Sequence, residues 1–122
     1  MIASGHDPRG PEDKRLPFSD AEPGMAGAET LLAMTLSLVR DEVIDIGRAF
    51  ELVATKPAEI LGVPAGAIAP GLEADVAIID PDRPWIIQSA KMEATAGNTP
   101  FDGQPTQGRV LHLYKGGMPI RH

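Results

Sequence analysis

The sequence changes its pattern near residue 63, and this change is what most constrains the fold. Residues 25–62 carry long runs with few helix breakers, whereas the later residues form short apolar runs separated by Gly and Pro. The 122-residue chain contains 13 Gly and 12 Pro, so turns are frequent and long uninterrupted elements are few. We therefore predict a helical first half and a β-rich second half.

Three helical segments are predicted in the first half. The stretch "MAGAETLLAMTLSLVRD" predicts a helix over 28–40 that is apolar around much of its circumference, and so is buried on more than one side. Asp45 is a suitable N-cap for a second helix that starts at Ile46. The third, in "KPAEILGV", has Pro57 in its first turn and Gly62 at its end.

The segment before these helices is different. Residues 1–4, "MIAS", predict a short buried strand. Residues 5–24 contain Pro and Gly too often for a helix and are predicted to form a loop. A loop of this length in a compact domain is usually functional.

The second half is predicted to hold about four short strands. We expect a turn at Pro70–Gly71, a strand over 74–79, a strand in "RPWIIQ", a loop over 89–105, and a hairpin with strands 108–115 and 118–121 around Gly116–Gly117. So few strands are marginal without something to pack against. The first half likewise has one strand without a partner, so the chain is predicted to be a piece of a larger fold.

Charge and composition exclude several classes of protein. The net charge is -6 and Lys and Arg do not cluster, so we expect no binding to nucleic acid. The absence of Cys excludes disulfides and thiolate metal sites. No run approaches the roughly 18 apolar residues of a membrane span, and the N-terminus lacks the pattern of a signal peptide. A cytoplasmic location without membrane association is therefore expected.

Four stretches occur in an order that is typical of one family. They are "DKRLPFSDAEPGMAGAETLL" (13–32), "TKPAEILGV" (55–63), "GAIAPGLEADVAIID" (66–80) and "GNTPFDGQPTQGRV" (97–110). Together they resemble the C-terminal part of bacterial dihydroorotases, members of the amidohydrolase superfamily. The third is typical of amidohydrolases in general. The first and last favour dihydroorotase over its hydantoinase and allantoinase relatives.

The resemblance implies an α/β fold, a (β/α)₈ barrel that carries a small β-sandwich domain built from both chain ends. Residues 1–62 would be the last βα unit of the barrel with the helices that follow it. Residues 63–122 would be the C-terminal part of the small β domain. Residues 1–4 would then be the eighth barrel strand, and residues 5–24 a loop at the active-site end. The chain alone is expected to be inactive, to bind zinc weakly or not at all, and to aggregate.

The resemblance also implies a reaction, the reversible conversion of N-carbamoyl-aspartate to dihydroorotate and water in pyrimidine biosynthesis. The family depends on zinc, and most of its ligands lie in earlier strands that this chain lacks. The expected partners are a dicarboxylate substrate, the rest of the barrel and a second copy in a homodimer. Two alternatives stay open. One is a non-catalytic dihydroorotase-like partner of aspartate transcarbamoylase, and the other is a hydantoinase- or allantoinase-type amidohydrolase.

The family motif at the eighth strand is typically "D-H-A-P-H", and this sequence departs from it. Aligned on His6 and Pro8, the catalytic Asp position holds Gly5 and the substrate-binding His position holds Arg9. Glycine carries no proton acceptor. Asp7 lies two residues further, on the same face of an extended strand, and is the candidate acid/base or metal ligand. The alternative is an ordinary loop Asp before Pro.

Four residues complete the candidate site. Arg9 suits a substrate carboxylate, which a guanidinium binds through two parallel hydrogen bonds, unless it is a solvated surface side chain. Pro23 and Gly24 align with a main-chain contact to substrate, or they form a turn that only introduces the helix. His6 either orients the residues of the site without contacting the substrate, or is a buried histidine held by backbone hydrogen bonds.

Other polar residues are expected to be structural. Asn98 and Phe101, in "NTPF", are predicted to fix a loop against the barrel rather than to take part in chemistry. His112 and His122 are predicted to be structural or exposed.

Overall fold

The computed structural model describes residues 1–120, in which four helices precede three strands. The expected change from helix to sheet is therefore present, and the assignment of the two halves to different domains stays a prediction. The helices are α1 (Pro11–Lys14), α2 (Leu31–Arg40), α3 (Ile46–Phe50) and α4 (Lys56–Leu61), with a π-helical turn (Glu51–Thr55) before α4. The strands are β1 (Val76–Ile86), β2 (Pro105–Lys115) and β3 (Met118–Ile120), with a 3₁₀ turn (Ser89–Lys91) after β1.

The sheet is antiparallel, in the order β1-β2-β3. The prediction of two separate strands over 74–79 and in "RPWIIQ" is wrong, because both stretches pair with β2 and so form one strand. Val76 pairs with Tyr114 at one end and Ile86 with Pro105 at the other. Register shifts between these ends accommodate the Pro-containing middle of β1.

The hairpin between β2 and β3 is confirmed as far as residue 120. Gly116 and Gly117 have φ angles of 57° and 79°, the positive values that a two-residue hairpin turn of this type requires. The predicted end of the last strand at 121, and His122, lie outside the described residues.

The predicted helices are largely confirmed, since local signals set their ends. Helix α2 starts at Leu31 rather than at residue 28, and only Arg40 within it is exposed. The Asp45 carboxylate accepts a hydrogen bond from the Arg48 N–H at 2.7 Å, as an N-cap does. Gly62, with φ of 67°, ends α4. Within residues 1–120, no helix is long and apolar enough to cross a membrane.

The core lies where α2 packs on β2. Ile87 is fully buried, and Leu36 and Ala33 of α2 are 2% and 1% exposed. A Cβ on Gly108 would lie against Leu36 Cδ1, so glycine at this position of β2 lets the helix approach the sheet closely. This contact joins the helical half to the β half.

Two predictions for the N-terminal segment are wrong. Residues 1–4 do not form a strand, since no strand lies beside them among the described residues; Met1 and Ala3 are exposed, and the Ile2 N–H donates to Leu52 O at 2.9 Å. The loop over 5–24 contains the one-turn helix α1, because Pro11 occupies the first helical position, where its ring is tolerated.

Candidate active-site loop

The loop after residue 4 has two arms that lie side by side, residues 5–9 and 23–27. The Asp7 N–H donates to Met25 O at 2.8 Å, and His6 forms a parallel bridge with Met25. Gly24 has φ of 120°, and a Cβ there would lie 2.8 Å from the Asp7 carboxylate and closer still to Asp7 O. A glycine at residue 24 is therefore what allows the arms to approach.

Arg9 is held between the two arms. Its Nη2 lies 2.9 Å from Asp7 Oδ2, and its Nε donates to Pro23 O at 3.1 Å. The side chains of Arg9 and Asp7 are 34% and 53% exposed. An exposed pair of this kind adds only about 0–1 kcal/mol to stability. The arrangement thus fixes the direction of the guanidinium and leaves part of it open to a ligand.

The described residues, 1–120, do not form a zinc site by themselves. Among residues 1–120, no three His, Cys, Asp or Glu side chains come together in a way that would hold a metal ion. Asp7 has Arg9 as its charged neighbour. Gly5 lies in open surroundings with φ of 57°, and a Cβ there would meet no atom within 4 Å.

His6 connects the first arm to the start of α2. Its Nδ1 accepts hydrogen bonds from the N–H groups of Gly27 and Ala28, at 3.2 and 3.1 Å. The neutral ring must then carry its proton on Nε2. The expectation of a buried histidine is wrong because the side chain is exposed, but the expected backbone hydrogen bonds are present. His112 is exposed on β2, as predicted.

Asn98 joins the loop from the β half, and its place in the site was not predicted. Its Oδ1 accepts from the Arg9 N–H at 2.7 Å, and its Nδ2 donates to Gly24 O at 3.0 Å. Its main-chain O also accepts from the Ala26 N–H at 2.9 Å. These contacts show that Asn98 holds a loop, as predicted, and the predicted packing of that loop against the barrel stays a prediction. The only sequence signal was the "NTPF" motif, since both side-chain partners are more than 70 residues away.

A groove of about 450 Å³ lies between the loop and the segment 89–98. Arg9 and Lys14 line one side, and Ser89, Gly97 and Asn98 line the other. The loop therefore presents two cationic side chains to a space bounded by small and polar residues.

The chain matches a known family of proteins. The model of the amidohydrolase family matches residues 19–120. The chain therefore belongs to the amidohydrolase family. Within it, the chain is similar over nearly its whole length to dihydroorotases, as the sequence motifs predicted.

Two of these relatives show the extent of the similarity. The dihydroorotase of Citrifermentans bemidjiense is 35% identical over 119 residues, which cover 98% of this chain and 28% of the relative. The dihydroorotase of Syntrophus aciditrophicus is 33% identical over 110 residues, or 90% of this chain and 26% of the relative. The chain thus spans about a quarter of the length of the curated relatives it matches.

Solved structures of hydantoinases share the fold. A D-hydantoinase matches 89% of this chain and 24% of its own with a TM-score of 0.79 and 27% identity. An L-hydantoinase (dihydropyrimidinase) from Arthrobacter aurescens matches 85% of this chain and 24% of its own, with a TM-score of 0.79 and 28% identity. The helices and sheet described above thus correspond to a part of an amidohydrolase fold.

Proposed function

We propose that this chain is a segment of a dihydroorotase-like cyclic amidohydrolase that interconverts N-carbamoyl-aspartate and dihydroorotate plus water. The similarity to dihydroorotases over 98% of the chain supports this reaction over others of the family. In the proposal, residues 1–62 are the last βα unit of the barrel with the helices that follow, and residues 63–122 belong to the small β domain. The pathway would be pyrimidine biosynthesis.

The observation that carries the proposal is the placement of Arg9. Its guanidinium is held by Asp7 and by Pro23 O, and about a third of the side chain is exposed. The proposed substrates carry carboxylates, which arginine binds with charge-assisted hydrogen bonds. In this mode Arg9 binds a substrate carboxylate, and the main chain of Pro23 and Gly24 contacts the rest of the molecule.

Asp7 is the proposed acid/base. Hydrolysis of a cyclic amide requires a group that accepts a proton from water and passes it to the leaving nitrogen. Gly5, at the position where the family has an Asp, offers no such group, and Asp7 is the carboxylate on the same arm. In the proposal the zinc ions are held by residues outside this chain, with Asp7 as the one candidate ligand within it.

The exposed apolar side chains favour the rest of the barrel as a partner. Phe18, Ile68 and Leu61 are 100%, 89% and 73% exposed. Burying such side chains is worth about 1.5–3 kcal/mol each. We propose that they pack against the remaining part of the protein, and that the complete protein is a homodimer in the cytoplasm.

Two other functions have an observation in their favour. The fold similarity to D- and L-hydantoinases favours a related cyclic amide as substrate. The glycine at residue 5, where the family has an Asp, favours a non-catalytic partner of aspartate transcarbamoylase. A substrate panel and the metal content of the complete protein separate these alternatives from the main proposal.

The experiment uses a hybrid dihydroorotase. In it, the segment of the Citrifermentans bemidjiense dihydroorotase that aligns with this chain is replaced by residues 1–122. The hybrid is assayed with dihydroorotate, hydantoin and allantoin, beside the unaltered relative. We expect hydrolysis of dihydroorotate. Because a hydrogen bond to a charged group is worth about 1.5–3 kcal/mol, Arg9→Met is expected to raise KM about tenfold or more.

Three results would contradict the proposal. A folded, zinc-loaded hybrid that hydrolyses none of the three compounds favours the non-catalytic partner. Hydrolysis of hydantoin or allantoin alone favours the related amidohydrolase. A KM that Arg9→Met leaves unchanged removes Arg9 from the substrate site.

A further inference from the structure

We propose that Asn98 is a positioning residue through which the β half sets the geometry of the substrate-binding loop. The inference rests on the proposed function, because Arg9 and Gly24 contact substrate only in that account. Asn98 itself does not touch the substrate in this proposal; it acts through these two residues.

The Asn98 amide bridges the two arms of the loop. Its acceptor Oδ1 takes the Arg9 N–H at 2.7 Å, on the first arm, and its donor Nδ2 reaches Gly24 O at 3.0 Å, on the second. An amide supplies a donor and an acceptor on one short, planar group, whereas a carboxylate supplies only acceptors. The side chain is half-buried, which reduces competition from water for these hydrogen bonds.

Asn98 is itself held in place by the sheet. The Ile87 N–H donates to Gln104 O at 3.0 Å, and the Gly103 N–H donates to Ile87 O at 2.8 Å, so the segment 88–103 is closed at its base. Ile87 is fully buried. The base of the segment is thus fixed to the core.

A second anchor lies next to this base. The Ser89 N–H donates to Asp102 Oδ1 at 2.7 Å. This hydrogen bond from Ser89 holds the pKa of the Asp102 carboxyl below its ordinary value. Gly97 packs directly on Ser89 O, and the next residue is Asn98. Asn98 is therefore joined to the base of the segment by close packing at Gly97.

Two substitutions of Asn98 distinguish the contributions of its two side-chain hydrogen bonds. Asn98→Ala removes both of them. Asn98→Asp keeps an acceptor for the Arg9 N–H but loses the donor to Gly24 O. The matched control is Glu93→Gln, an isosteric change at an exposed position of the same segment.

The test measures kinetics and amide hydrogen exchange in the hybrid dihydroorotase. Asn98→Ala is expected to raise KM for dihydroorotate about tenfold with a smaller change in kcat, because a substrate contact is misplaced while the reacting groups remain. It is also expected to speed exchange of the Arg9 amide. Asn98→Asp is expected to raise KM but to leave the Arg9 amide protected, and Glu93→Gln to change neither quantity.

The two readouts keep this inference distinct from the proposed function. An inactive hybrid defeats the proposed function, and exchange at Arg9 then still decides whether Asn98 positions the loop. The inference is overturned if Asn98→Ala leaves exchange at Arg9 unchanged. It is also overturned if an active hybrid keeps its KM in Asn98→Ala, or if Glu93→Gln reproduces the Asn98→Ala effects.

Discussion

The core around Ile87 and the loop around Arg9 are built from different interactions. In the core, Ile87 and Leu36 are almost completely removed from water. In the loop, Asp7 and Arg9 remain partly exposed, and hydrogen bonds to main-chain groups fix the arms. Apolar burial supplies most of the stability of a fold, whereas exposed polar pairs add little.

This difference indicates that the stability of the segment and the geometry of the Arg9 loop depend on separate residues. Changes in the core should weaken the whole segment, whereas changes in the loop should misplace Arg9 with little loss of stability. Asn98 is the exception, because its position in the chain is in the β half, whereas its side chain forms hydrogen bonds with the loop. All of the following predictions apply to the hybrid dihydroorotase.

The largest effect is expected from Ile87→Ala. Removing a fully buried Ile leaves a cavity, and the free energy of unfolding of the segment should fall by about 2–5 kcal/mol. Native-state amide exchange along β1 and β2 measures this loss. Arg83→Ala is the control, since Arg83 is an exposed residue of the same strand, β1. Equal losses in both variants would place the core elsewhere.

Gly24→Ala is expected to act on the loop and not on the core. The new Cβ would clash with Asp7, and the backbone has a positive φ, so the strain is about 1–3 kcal/mol. Relief of the strain by separation of the arms should lower kcat/KM for dihydroorotate about tenfold or more. Gly71→Ala shares the positive φ, but its Cβ meets nothing within 4 Å, so it should keep normal kinetics. Amide exchange along β2 should be unchanged in both variants. A Gly24→Ala enzyme that is slower and also exchanges faster along β2 would contradict the separation of the loop from the core.

A smaller effect is expected at the start of α3. Asp45→Ala removes the cap on the Arg48 N–H and should cost about 1 kcal/mol, seen as faster exchange in α3. Asp45→Asn keeps a side-chain acceptor and is expected to stay close to wild type. A cost from Asn as large as that from Ala would mean that charge, and not capping, is what matters at this position.

The smallest effect is expected where Asp75 meets the hairpin. Lys115, and then the Gly116 N–H, hold the pKa of Asp75 below its ordinary value. Its contribution to stability is therefore complete above the pKa of the unfolded chain, about 3.9, and is lost as the pH falls through the lower folded pKa. Asp75→Asn should be slightly less stable than wild type at pH 7, and this difference should shrink as the pH falls below about 4. Exchange at Gly116 measures it, and a difference that grows in acid would contradict the assignment.

Local signals in the sequence predicted more of the fold than long-range ones did. The Asp45 cap, the end of α4 at Gly62 and the hairpin turn depend on a few neighbouring residues, and all three are confirmed. The single strand β1 was predicted as two, because only pairing with a distant partner strand continues it across Asp80–Pro84.

In the candidate site, too, the contacts between distant segments were the part that the sequence did not predict. The family motif placed Arg9, Pro23 and Gly24 in one site, and the structure brings them together. The roles of these residues stay predictions. Asn98 was predicted only to fix a loop, because the sequence does not reveal which two segments a side chain joins across more than 70 residues.

The hydrolysis of dihydroorotate by the hybrid dihydroorotase tests the central claim most directly. If residues 1–122 supply a working substrate loop, the hybrid hydrolyses dihydroorotate, and Arg9→Met raises its KM about tenfold or more. A hybrid that folds, binds zinc like the unaltered relative and yet leaves dihydroorotate intact would contradict the claim.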